Sequence, residues 1–413
     1  MGGSVGKRAV AGGRTVRAMA KRTTKAGSVL AAAEPPAAAG PVYPVTTLDA
    51  VFGQRTAKQT LESAMQAGRV HHAWIFHGPA GVGKFTTAIA FAAAILDPTT
   101  SAGLSGQLAP EADSAVQRMV RAGSHPDLHV IKKELATVSR KDTVRKQKQN
   151  NIPLEVIDEF LLEPASKTSV LRSSSLASKV FIVDEAELLR GSKQETQNAL
   201  LKTLEEPPAG TVLILVTAFQ DHLLTTVRSR CQRVGFVPLA EEDMRQWFAV
   251  SGLEVPGEQK DWLLRFAAGS PGAATLAAKC NLFSWHETLT PMLEAASRGE
   301  YALELGEAMA KLVDEQAAAV AAADKLASKD GANKVWGRRM LAFVGEHARA
   351  KLRARASSSK ATPEVLEGDA AAQRALRAIE AVNRAEEHLE RNVRLSTVFD
   401  NLAVQIAAEP VRV

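Results

Sequence analysis

The stretch GPAGVGKFT, from Gly78 to Thr86, is one residue away from a phosphate-binding loop. In the pattern G-x-x-x-x-G-K-[ST], Gly78, Gly83 and Lys84 fall in place, and Phe85 stands where a hydroxyl belongs. Glycines, Gly81 among them, let backbone N–H groups come close to phosphate oxygens, and a following helix adds its positive end. Lys84 would reach the β- and γ-phosphates. The residue after that lysine ordinarily offers a hydroxyl to Mg²⁺, and phenylalanine cannot. Thr86 is the candidate substitute. One helical step rotates a side chain by roughly 100°, so Thr86 should point away unless the loop shifts register.

Working outward, the loop sits where such a loop must. AWIFHG (Ala73–Gly78) is a short apolar strand entering it, and TTAIAFAAAIL (Thr86–Leu96) leaves it as an alanine-rich helix. Further buried strands are read in KVFIVDEAELL (Lys179–Leu189), TVLILVTA (Thr211–Ala218) and VGFVPL (Val234–Leu239). Val/Ile/Leu runs separated by helical stretches indicate a parallel sheet covered on both faces. Residues 98–115, the basic run SRKDTVRKQKQN (Ser139–Asn150) and LRSSSLASK (Leu171–Lys179) read as loops or connections.

After Pro238 the strands stop. EEDMRQWFAVSG and EQKDWLLRFAAG each end at a glycine suited to a helix C-cap. From about residue 280 the pattern is helical, with ASSSKATPE (Ala356–Glu364) the clear loop. Leu395, Phe399, Leu402 and Ile406 form an amphipathic stripe near the end. The chain thus divides into a basic tail (1–40), an α/β nucleotide-binding-type domain (41–239), a small helical lid (240–279) and an all-α domain (280–413).

Composition narrows the classes. With 46% hydrophobic and 23% charged residues in 413, this is an ordinary globular composition with room for two or three cores. The two cysteines, Cys231 and Cys280, supply neither a disulfide framework nor a four-cysteine zinc site. The longest apolar run, Ala88 to Leu96, is about half of a bilayer span. The net charge of +6 is lodged in the tail, where seven Lys/Arg lie between Lys7 and Lys25 and the lone acid is Glu34. That tail reads as disordered, either a solvated extension or an over-extended start with Met19 as the true beginning. It also has the Arg-rich, acid-poor look of a transit peptide. Without it the net charge is close to zero, so contact with DNA would have to be local.

Two more clusters carry chemistry. Asp184 and Glu185 close the apolar strand VFIV; in a phosphate-loop protein the aspartate holds Mg²⁺ and the glutamate can polarise the attacking water. Arg228, Arg230 and Arg233 crowd TTVRSRCQRV (Thr225–Val234).

In their order, HHAWIFHGPAGVGK, RAGSHPD (Arg121–Asp127), VDEAELL, QNALLKTLEEPP (Gln197–Pro208), VRSRC and GSPGAA (Gly269–Ala274) resemble bacterial DNA polymerase III clamp-loader subunits, which are AAA+ ATPases. The pair ALLKTLEEPP and SRC argues against an AAA+ helicase or remodeller outside replication. HLERNVRLSTVFDNLAVQI (His388–Ile406) is similar to the closing helices of the family's collar domain. The resemblance covers residues 45–279 well and the rest more loosely. It implies an AAA+ phosphate-loop domain with a parallel sheet, a small helical lid and an all-α collar.

Within that family the features lean to the stator type, δ′, over the motor type, γ or τ. Phe85 spoils the metal ligand. Gly272 falls where the motor has a lid arginine, and the motor's zinc cysteines are absent. Lys84, Asp184 and Glu185 count the other way, so a motor with its own ATPase is the alternative. The resemblance implies that Arg230 acts in trans as an arginine finger on a neighbour's ATP. It also implies ATP with Mg²⁺ held by Gly78, Gly81, Gly83, Lys84, Thr86 and Asp184, and Glu185 as water activator, if this site works at all. Implied partners are γ/τ and δ subunits, the sliding clamp and primer–template DNA, within a nucleotidyltransferase holoenzyme in the bacterial cytoplasm. The 395/399/402/406 stripe is expected to bind neighbouring subunits.

Overall fold

The computed structural model describes residues 1–2, 42–103, 108–146, 151–171, 174–189, 195–300, 303–323, 329–358, 369–391 and 393–408. The expected basic tail therefore lies almost wholly outside the described residues.

A five-stranded parallel sheet forms the first layer system. Its strands are β1 (Ala73–His77), β2 (Leu128–Ile131), β3 (Lys179–Val183), β4 (Thr211–Thr217) and β5 (Gln232–Gly235), in the spatial order β2-β3-β4-β1-β5. β1 runs beside β4 from Ala73↔Leu213 to His77↔Thr217, and beside β5 from Trp74↔Gln232 to His77↔Gly235. The central strands β3 and β4 are buried at every position, which explains their unbroken apolar runs. Edge strands lack that signature. β2, not anticipated from sequence, is LHVI with a single fully buried residue, and β5 is QRVG with only Val234 buried. The last strand therefore begins and ends earlier than the expected 234–239.

Alternation along each strand sends residues to opposite faces. Trp74, Phe76, Val180, Ile182, Ile214 and Val216 meet α1 (Arg55–Gln66), α2 (Lys84–Leu96) and α3 (Ala115–Arg121) on one face. Ala73, Ile75, Phe181, Val183, Leu213 and Leu215 pack on the other against residues 152–165 and α4 (Glu195–Glu205). In α2 every residue from Thr87 to Leu96 is buried, and its alanines allow the close approach that this requires. The run at 98–115 contains a short antiparallel ribbon, Ser101–Ala102 with Leu108–Ala109. Of the basic run at 139–150, residues 147–150 lie outside the described residues; in the rest, Arg140 pairs with Glu159 (3.3 Å) and Glu163 (3.1 Å), and residues 142–145 form one helical turn.

A one-turn helix α5 (Thr225–Arg228) precedes β5. The lid then comprises α6 (Glu241–Val250), α7 (Gly257–Ala267) and α8 (Pro271–Lys279). The bundle comprises α9 (Phe283–Ser297), α10 (Leu303–Ala323), α11 (Lys329–Ser358), α12 (Ala370–Glu390) and α13 (Leu395–Ala407). Lid and bundle share one apolar cluster, from Leu239 through Trp285 and Trp336 to Ala407, so the boundary drawn at 279/280 is not a break in packing.

Two expectations are corrected here. The helical part of ASSSKATPE is longer than expected, since α11 continues to Ser358; residues 359–364 lie outside the described set. The stripe on α13 does not face outward: Phe399, Leu402 and Ile406 are buried in the bundle and Leu395 packs against it. Amphipathic spacing reports a face removed from water, and here the chain itself covers it.

Candidate functional site

The loop after β1 is shaped by three glycines in the left-handed half of backbone space: Gly78 (φ 137°), Gly81 (φ 73°) and Gly83 (φ 100°). At Gly78 a Cβ would lie 2.1 Å from the Phe236 carbonyl oxygen, so only glycine fits against the exit of β5. Lys84, the first residue of α2, is buried, and its ammonium donates to the carbonyl oxygens of Gly78 (2.7 Å) and Pro79 (2.5 Å). Burial pushes its pKa down to about 8, with Glu187 and Asp184 pulling the other way.

A cavity of about 450 Å³ opens here, within the range of small-molecule sites. Gly81, Gly83, Lys84, Thr86, Asp184 and Glu185 line it together, so the structure brings most of the residues named from sequence to one place. Gly78 shapes the loop from behind. Thr86, which a simple helical rotation would turn away, borders the cavity along with Phe85, because the opening wraps the first turn of α2.

The carboxylates are not free. Asp184 sits at the end of β3, where burial raises its pKa and Lys132, 3.5 Å away, opposes that shift. Glu185 occupies a left-handed conformation (φ 52°) and pairs with Lys133 at 2.8 Å. Lys132 also stands over the Phe85 ring, 4.1 Å from its centroid, and Phe85 packs on Tyr43 at 5.9 Å. A divalent ion bound at Asp184 needs oxygen donors around it. At Asp184 the neighbouring ammonium of Lys132, seated on the Phe85 ring, works against Mg²⁺, although Thr86, Glu187 and Thr217 also bring oxygens to the cavity. The glycine loop, Lys84 and the cavity's size do fit a nucleotide's phosphates.

The lid rests directly on the loop. Ser270 caps α8 by accepting from the Ala273 N–H (3.1 Å) and donates its hydroxyl to Ala80 O (3.0 Å). The Gly272 N–H donates to Gly81 O at 2.9 Å. A Cβ on Gly272 would lie 2.7 Å from the Gly81 Cα, so no larger residue fits at this contact. From the other side, Gln54 (φ 49°) donates its amide to Val82 O (3.0 Å) and Val237 O (2.7 Å) and accepts from the Val237 N–H (3.2 Å).

Arg230 lies elsewhere. Strands β1 and β5 are parallel, and Arg230 precedes the first residue of β5, so it sits at the sheet's opposite end from the loop that follows β1. The intervening strand of five residues is about 17 Å long. There a concavity of about 610 Å³ is lined by His71, His72, Leu204, Glu205, Ser229 and Arg230, among others. The guanidinium donates to Thr226 O (3.0 Å) and pairs with Glu205 at 2.7 Å. Arg228 pairs instead with Asp221 (2.6 Å). The neighbouring Cys231 is a packing residue whose thiol burial pushes up to about 12.

Sequence reasoning missed Lys132, Glu187, Trp247 and Thr275. The first touches Asp184 and the others line the cavity. The one available signal was the adjacent pair Lys132-Lys133 following LHVI. Other residues of the recognised motifs hold the scaffold. Asp127 accepts from the Val170 and Leu171 N–H groups (2.8 Å each), and Gln197 bonds Leu189 O, His222 O and the Leu224 N–H.

Residues 53–240 match the profile of the family described as "DNA polymerase III, delta subunit". The chain is 31% identical over 218 residues to the DNA polymerase III subunit delta' of Pseudomonas aeruginosa, covering 52% of this chain and 58% of that protein. It is 30% identical over 237 residues to that of Escherichia coli, covering 57% and 63%. It is 28% identical over 194 residues to the subunit gamma of Buchnera aphidicola, covering 47% and 46%. The chain thus spans under two thirds of the length of these relatives. A Thermotoga maritima RuvB Holliday junction branch migration motor overlaps loosely, at TM-score 0.36 and 15% identity over 69% of this chain and 86% of that one. Over residues 53–240, then, the chain is similar to the family described as "DNA polymerase III, delta subunit" and to the delta' subunits of these two bacteria.

Proposed function

We propose that the chain is the stator, δ′-type subunit of a clamp loader. It would join γ/τ motor subunits and a δ subunit in an assembly that opens a sliding clamp and places it on primer–template DNA. The observation that carries this reading is the position of Arg230, exposed in a concavity at the far end of the sheet from its own phosphate loop. A guanidinium there cannot serve the cavity at Lys84. It can serve an ATP bound to a neighbour packed against that end. An arginine finger is worth on the order of 10³–10⁵ in turnover at the site it enters. The chain's own cavity would hold ATP without turning it over, because Phe85 replaces the hydroxyl and Lys133 engages Glu185. DNA contact would be to phosphates, without regard to sequence.

The test is reconstitution with γ/τ, δ, clamp and primed DNA. Arg230→Ala is expected to leave assembly intact and to lower the DNA-stimulated ATPase. An unchanged ATPase removes the role given to Arg230. One observation favours a second reading, a motor with its own ATPase: Thr86 borders the cavity and could offer its hydroxyl. Turnover by the isolated chain at the level of a motor subunit would decide for it.

A further inference from the structure

The ammonium of Lys132 lies between two groups that a metal-dependent nucleotide site would use otherwise. On one side is the Asp184 carboxylate, 3.5 Å away, and on the other the face of Phe85, 4.1 Å to the ring centroid. The first is the aspartate expected to hold Mg²⁺. The second occupies the position of the hydroxyl expected to complete its shell. An aromatic face attracts a cation and offers nothing to a hydrated divalent ion. Lys132 follows β2 immediately, and β2 is tied to β3 in register from Leu128↔Val180 to Ile131↔Val183, so this placement comes from the sheet itself. Lys133 takes the next carboxylate, Glu185. Two successive lysines thus neutralise the two successive acids.

The charges can be weighed. A triphosphate entering the cavity brings several negative charges to a place that already holds Asp184, Glu185 and the Glu187 carboxylate. One oxygen of Glu187, Oε2, is buried with no hydrogen-bond partner. In a metal-dependent site the divalent ion offsets that repulsion. Here Lys84 supplies positive charge at the cavity wall, and Lys132 adds its own one layer back, against the two lining residues Asp184 and Phe85.

We infer that Lys132 stands in the place of the metal ion, so that this cavity takes a nucleoside triphosphate without a divalent cation. The inference rests on reading the cavity as a nucleotide site. Phe85 then has a positive role: its face seats the ammonium, and an oxygen at that position would favour a hydrated metal instead. Binding becomes independent of Mg²⁺. No ion remains to polarise the γ-phosphate, which matches a subunit that holds nucleotide as a fixed structural part.

The test is equilibrium titration of the purified full chain with N-methylanthraniloyl-ATP, in excess Mg²⁺ and in EDTA, read by fluorescence anisotropy. The wild-type affinities are expected to agree within about threefold. Lys132→Ala should lose at least about tenfold in EDTA, as expected for removing a charge-assisted contact. Its affinity should then rise when Mg²⁺ is added. Lys132→Arg should keep the wild-type behaviour. Since Lys132 is partly exposed, unchanged thermal melting of the variants separates lost binding from lost fold. Wild-type binding that needs Mg²⁺ by about tenfold or more overturns the inference and leaves the nucleotide site standing. Equal EDTA affinity of Lys132→Ala and wild type overturns it likewise. Absence of binding in both buffers overturns the nucleotide site as well, and leaves the role of Arg230 to be judged by the reconstituted ATPase.

Discussion

The guanidinium of Arg230 is paired with the carboxylate of Glu205 at 2.7 Å, and Glu205 belongs to the α4 segment that ends in LEEPP. The pair is more than a third exposed on both sides, so its contribution to stability is small, about 1 kcal/mol or less. Its consequence is orientation. Glu205 and the Thr226 carbonyl hold the arginine in one place. Glu205→Ala is expected to leave the melting temperature nearly unchanged and to lower the ATPase of the reconstituted complex less than Arg230→Ala does. An equal loss from both variants would show that Glu205 does more than orient.

Gly272 and Gly81 meet backbone to backbone, with the hydrogen bond between them at 2.9 Å. Any side chain at 272 must push the lid off the loop, since its Cβ would lie 2.7 Å from the Gly81 Cα. Gly272→Arg is therefore expected to destabilise the chain by about 1–3 kcal/mol in urea unfolding. It should also speed amide hydrogen exchange in α8. Gly257→Ala is the control: a Cβ there meets nothing within 4 Å, and a change beyond about 0.5 kcal/mol is not expected.

His347 is an acid-sensitive point of the bundle. Burial, with Lys351 adding to it, pushes its pKa down to about 4, while Glu294 pulls the other way. Its Nε2 is buried with no hydrogen-bond partner. The unfolded chain takes up this proton near the ordinary imidazole pKa of 6.5, and the folded chain only near 4. Between those values the unfolded state binds more protons, so stability rises with pH across the window and falls on acidification. The loss from this one group approaches about 3 kcal/mol at the acid end. Comparing wild type with His347→Gln in urea titrations at neutral and acidic pH isolates it: the variant should show the shallower pH dependence.

What sequence could deliver follows from where each residue's partners lie along the chain. The glycine loop, Lys84 and Asp184 were legible because strand, loop and helix are contiguous and their apolar runs are long. Lys132 was not. It reaches Asp184 through an edge strand of four residues with one fully buried position, which leaves no periodic trace. The glycine at 272 could be read from the motif, but its contact with Gly81, 191 positions away, could not. For α13 the stripe told correctly that one face is covered. Which surface covers it is a tertiary fact, and the bundle turned out to supply it.

Gln54 joins two places that are otherwise separate in the chain, Val82 inside the phosphate loop and Val237 on the way to the lid. Its side-chain amide spends both of its polar ends on them. Moving the linker while leaving the loop in place would break a buried hydrogen bond at one end or the other, at a cost of about 1–3 kcal/mol for each group left without a partner. Loop and linker are therefore mechanically one part. A displacement of the lid reaches the glycine loop twice over, directly through Ser270 and Gly272 and by way of the linker through Gln54.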